Sequence, residues 1–66
     1  MRLTVNGEER AFADIAHVAD LVAALGLDGR KVAVERNLEI VPRSTYSRVA
    51  LADGDRIEIV HFIGGG

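Results

Sequence analysis

Three glycines, Gly64, Gly65 and Gly66, stand directly behind an apolar strand pattern, Ile57-Glu58-Ile59-Val60-His61-Phe62-Ile63. Glycine has no Cβ, so such an end can extend, take positive φ and thread a slot closed to any side chain. Three residues beyond Ile63 reach at most ~10 Å at ~3.3 to 3.6 Å per residue, far enough to enter another protein's active site. The chemistry this permits is presentation of a sterically open α-carboxylate. Two plainer accounts compete, a frayed chain end and a remnant of cloning.

Little else in the chain is built for catalysis. Neither His17 nor His61 has a cysteine, a second histidine or a serine at a spacing that makes a relay or a metal site, and each reads as a surface residue. Asp53-Gly54-Asp55 has the look of a calcium-loop fragment but lacks the other ligands, so a turn is expected there and no metal. Arg36, Arg43 and Arg48 could pair with Glu35 and Glu39 or with acids on a partner, and surface pairs of that kind contribute only ~0 to 1 kcal/mol. A domain this small is not expected to enclose a pocket of ~300 Å³ beside its own core. The chain reads as a substrate of other enzymes, not as an enzyme.

The glycines need a body to carry them. Leu3 to Phe12 alternates about Asn6-Gly7, the dipeptide that favours a two-residue type I′ turn, which predicts an opening β-hairpin. Val18, Leu21, Val22 and Leu25 fall at i, i+3, i+4 and i+7, one stripe of a short helix that Gly26 can end in the left-handed conformation. Its start is open between His17 and Asp14. Lys31 to Arg36 predicts a strand, Asn37 a positive-φ turn, and Leu38 to Val41 a second short strand stopped by Pro42. Ser44 is a candidate cap for a single turn holding Tyr46. Ala52-Asp53-Gly54-Asp55 predicts a turn, and Arg56 to Ile63 the last strand.

This order is α+β, a β-grasp arrangement with a mixed sheet of four to five strands and one helix packed on one face. Residues 1–63 form the domain and 64–66 a flexible glycine tail. In the last strand Ile57 and Ile59 share one face, while Glu58, Val60 and Phe62 share the other. Apolar side chains beside the tail mark Val60, His61, Phe62 and Ile63 as a candidate docking patch. Packing of Val60 or Phe62 under a loop is the plainer alternative.

Composition narrows the partners. The 66 residues are 48% hydrophobic with three aromatics and no cysteine, which suits one small globular domain without disulfides or thiolate metal sites. Net charge is −2 and the eight basic residues are dispersed, so no cationic face for nucleic acid is expected. No apolar run approaches the ~20 residues of a membrane span, and the start is too short and polar for a signal peptide, which leaves the cytoplasm as the expected location.

Val32 to Asn37, then Ile40-Val41-Pro42-Arg43, then Asp53-Gly54-Asp55 followed by a strand ending in Gly64-Gly65-Gly66, resembles the ThiS family of sulfur carriers over essentially the whole chain. His17 stands where that family often has a capping Thr. The resemblance implies that an ATP-dependent enzyme adenylates the Gly66 carboxylate. It further implies that a persulfide on a cysteine-derived sulfur donor enzyme converts it to a thiocarboxylate, and that thiazole synthase uses this sulfur in thiamin biosynthesis. ATP then belongs to the activating partner, and no cofactor is expected on the carrier. A molybdopterin-type carrier, a ubiquitin-like protein modifier and a plain β-grasp interaction module are the alternatives.

Overall fold

The structure, a computed structural model, describes residues 1–62. Five strands and one helix run in the order β1 (Arg2–Val5), β2 (Glu8–Ala11), α1 (Val18–Ala24), β3 (Val32–Arg36), β4 (Glu39–Val41) and β5 (Arg56–His61). The sheet order is β2-β1-β5-β3-β4. The central β5 lies parallel to β1 and antiparallel to β3, so the sheet is mixed, as expected for a β-grasp.

Local chemistry explains most of the turns. Asn6 and Gly7 both have positive φ, 50° and 81°, which the primed turn between β1 and β2 requires. Gly26, at φ 73°, ends the helix in the left-handed region. The helix start is settled in favour of His17, whose extended backbone makes it the residue before the first turn. Its side chain is not the device that caps. Instead the Asp20 carboxylate reaches back to accept from the Ala16 and His17 N–H groups at 2.9 and 2.8 Å. Asp14 takes up a left-handed bend at φ 58°.

Three expectations are corrected. Leu38 is not the first residue of a strand; it is the second corner of the β3–β4 turn at φ 71°, behind Asn37 at φ 51°. Ser44 caps nothing: the short 3-10 turn Arg43–Thr45 begins after Pro42, and it is Thr45 Oγ1 that donates to the Pro42 carbonyl at 2.6 Å. Lys31 likewise belongs to a 3-10 turn, Gly29–Lys31, and β3 starts one residue later.

Alternation along the strands assigns the two sheet faces. Leu3, Val5, Val32, Val34, Val41 and Ile57 face the helix and meet Val18, Leu21 and Val22, with Tyr46 and Leu51 closing the core. The Tyr46 hydroxyl, buried among them, donates to the Val32 carbonyl at 3.2 Å and so carries no unsatisfied polar atom inward. The other face is open. No helix among the described residues is long and apolar enough to cross a membrane.

Candidate functional site

The candidate site is the end of the molecule at which β5 leaves the sheet, and two devices hold that strand in place. On the β3 side the Phe62 N–H donates to the Lys31 carbonyl at 2.8 Å, one residue past the end of the ladder. On the β1 side the chain has already turned away at Asn6. Its side chain takes over from the backbone: Oδ1 accepts from the Ile59 N–H at 2.7 Å and Nδ2 donates to the Ile59 carbonyl at 3.2 Å. With the Asn6 N–H donating to the Ile57 carbonyl at 2.8 Å, the one turn residue after β1 bonds two residues of β5.

Of the proposed docking residues, Val60 is 61% and Phe62 45% exposed, so neither packs under a loop. Val60 sits on the open face directly beside Ala33, and the next rank of that face is a Glu58–Glu35 pair with Ile40, itself 77% exposed, beyond it. Like charges directly opposite one another weaken a sheet, so this acid pair is not there for stability. His61 is exposed but turns to the helix side, away from Val60. Val60 and His61 therefore do not share a face. Ile63, Gly64, Gly65 and Gly66 lie outside the described residues.

At the opposite end of β5 the structure builds a polar cluster that composition concealed. Asp55 reads as a turn residue, yet it is buried, and its carboxylate accepts from Arg36 Nε at 2.8 Å, Asn37 Nδ2 at 3.0 Å and the Ala52 N–H at 2.8 Å. Asn37 Oδ1 in turn accepts from the Arg56 N–H at 2.9 Å. Burial alone pushes the Asp55 carboxyl up, but the bonds from Asn37, Ala52 and Arg36 together outweigh it and hold the group below its ordinary value. Arg36 thus pairs with Asp55 and not with Glu35 or Glu39. Arg43 pairs with no acid among the described residues; its guanidinium donates to the Gly29 carbonyl at 3.0 Å and reaches the Val32 carbonyl at 3.5 Å. No local pattern announces these bonds, because Arg36 and Asn37 are 19 and 18 residues from Asp55.

Among the described residues, the surface carries open grooves of about 300 to 350 Å³, none of them enclosed. Among the described residues no three of His, Cys, Asp and Glu gather where a metal could bind. What the geometry offers is a rigid platform that fixes the root of a C-terminal segment, with exposed apolar and backbone groups around that root.

Residues 3–66 match the sequence model of the ThiS family. The chain belongs to the ThiS family. A sulfur carrier protein ThiS from Bacillus subtilis (strain 168) is 45% identical over 65 residues, which cover 97% of this chain and 98% of that protein. The crystal structure of the thiamine biosynthesis protein (ThiS) from Geobacter metallireducens superposes with a TM-score of 0.84 at 35% identity, covering 100% of both chains. A third relative, a thiazole synthase from Paramagnetospirillum magneticum, is 62% identical over 66 residues. This ThiS-family chain spans only 20% of that synthase's length, and the same fraction of a second thiazole synthase, from Magnetococcus marinus. The β-grasp expectation is thus met in both the strand order and the superposition.

Proposed function

We propose that this chain is a sulfur carrier in thiamin biosynthesis and that the carrying group is the α-carboxylate of Gly66. The observation that supports this most is membership of the ThiS family over residues 3–66, a match that includes the terminal glycines. The platform adds to it: a central strand pinned by Asn6 and Lys31 fixes the chain as far as Phe62, four residues before Gly66.

The chemistry follows from the carboxylate. Its reference pKa of ~3.3 to 3.7 makes it an anion near neutrality and a poor electrophile. An adenylating enzyme uses ATP to form the acyl adenylate, the carboxylate oxygen attacking the α-phosphorus and pyrophosphate leaving. A sulfur nucleophile then attacks the acyl carbon and AMP departs. With hydrosulfide as that nucleophile, the product after loss of one proton is the thiocarboxylate directly. In the cell the sulfur comes from a cysteine-derived donor enzyme, and thiazole synthase consumes it. Gly64 and Gly65 provide clearance, and Val60, Phe62 and Ile63 with His61 form the contacts nearest the tail. The carrier binds no cofactor of its own, performs no catalysis and works in the cytoplasm.

Deleting the gene tests the pathway. The deletion strain should require the thiazole moiety of thiamin for growth and should regain independence when supplied with a chain ending at Gly66. A requirement for molybdopterin instead, or no requirement at all, contradicts the assignment.

A further inference from the structure

Among the described residues, nothing pairs with the β1-facing edge of β5 beyond Asn6. The Phe62 N–H bond to Lys31 and the Asn37 N–H bond to Arg56 fix which β5 residues point toward β3: the even-numbered ones. The odd-numbered residues Ile57, Ile59 and His61 therefore direct N–H and C=O toward β1. The Asn6 N–H satisfies the Ile57 carbonyl, and the Asn6 side chain satisfies both groups of Ile59. His61 N–H and C=O have no partner among the described residues, since pairing of β1 with β5 stops at Val5.

An open groove of about 300 Å³ lies beside this edge, and Leu25, Leu27 and Ile59 give it an apolar floor. His61 and Arg10 supply its polar margin. Arg10 has no carboxylate partner among the described residues; its guanidinium lies 5.3 Å from the centre of the Phe12 ring. The outer edges of β2 and β4 are also unpaired, but β2 is exposed throughout, and β4 is three residues long and followed by Pro42. Such features discourage pairing with another chain. Among the described residues, only the His61 edge combines an unpaired donor and acceptor, an apolar groove and proximity to the tail.

We infer that the His61 edge is completed by strand addition from the protein that receives the tail, an extended segment with an apolar side chain for the Leu25–Leu27 groove and an acidic one for Arg10. Main-chain pairing of this kind gives affinity and the groove gives selectivity. The inference rests on the sulfur-carrier reading for the identity of the receiving protein, thiazole synthase. Asn6 sets the boundary: it closes the edge up to Ile59 and leaves it open at His61.

Residue-resolved amide exchange tests this on the intact chain. In the free protein the His61 amide should exchange faster than those of Ile59 and Phe62 on either side, although Phe62 lies nearer the chain end. In complex with purified thiazole synthase the His61 amide should slow by roughly tenfold, the protection expected of one added backbone hydrogen bond. Arg10→Glu should weaken that complex while leaving the fold's own amide protection intact. A complex in which His61 exchanges as in the free chain overturns strand addition and leaves the carrier function standing. Protection of His61 in the free chain that disappears on dilution would assign the edge to a second copy of this chain. Failure of the two proteins to associate at all removes the proposed occupant and overturns the inference.

Discussion

Leu38 is held at φ 71° with 82% of its surface exposed, which combines a backbone conformation that suits glycine with a side chain that buries almost nothing. The left-handed region costs a branched L-residue ~1 to 2 kcal/mol, and glycine's extra freedom in the unfolded chain returns ~0.4 to 1 of that. Leu38→Gly should therefore raise the unfolding free energy by about 0.5 to 1 kcal/mol in denaturant titration. Asp55 is the opposite case. Asp55→Ala leaves the Arg36, Asn37 and Ala52 donors without their acceptor and should lower stability by about 2 to 4 kcal/mol in the same experiment. A loss under ~0.5 kcal/mol would show that water replaces the carboxylate without penalty. The contrast also marks what the sequence makes legible. Asn6, Gly7, Gly26 and Asn37 announce their conformations through residue type. Leu38 and Asp55 do not, because one violates its own preference and the other is defined by partners far along the chain.

Among the elements, β5 is the one that joins body to tail, and its alternation was readable directly: Ile57 is buried, Ile59 half-buried, and Val60 and Phe62 exposed. The helix stripe was equally plain, since Val18, Leu21 and Val22 all enter the core. The cap was not, because the group that closes the first turn is the Asp20 carboxylate inside the helix and not a side chain before it. Period-two alternation also sends Val60 and His61 to opposite faces of the sheet. Val60→Glu places a third carboxylate on the open face beside Glu58 and Glu35. With the residue 61% exposed, thermal stability should change little. Association with the activating enzyme or thiazole synthase, followed by titration calorimetry, should weaken by roughly tenfold or more if an unpaired charge is desolvated there. Unchanged affinity for both would remove Val60 from the interface.

For the molecule as a whole, acid stability reports the hydrogen-bonded carboxylates. Arg30 side-chain and backbone donors hold Asp28 at about 2, the Ala16 and His17 N–H groups lower Asp20, and the Asp55 network lowers its own carboxyl. Each folded value lies below the ~3.9 of an unfolded Asp, so the stabilisation is complete above that value and is lost as pH falls through the folded ones. Unfolding free energy should be nearly flat from neutrality to about pH 5 and decline between about pH 4 and 2. A decline already complete above pH 5 would contradict these assignments.

The central claim is that a β-grasp body presents the Gly66 carboxylate for exchange of oxygen for sulfur. The most direct measurement is the intact mass of the chain after incubation with the activating enzyme, ATP and sulfide, beside a chain ending at Gly65. The full-length chain should gain the difference between one sulfur and one oxygen, and the shortened chain should not. An unchanged full-length mass, with the same enzyme shown to act on another ThiS-family carrier, would contradict the account.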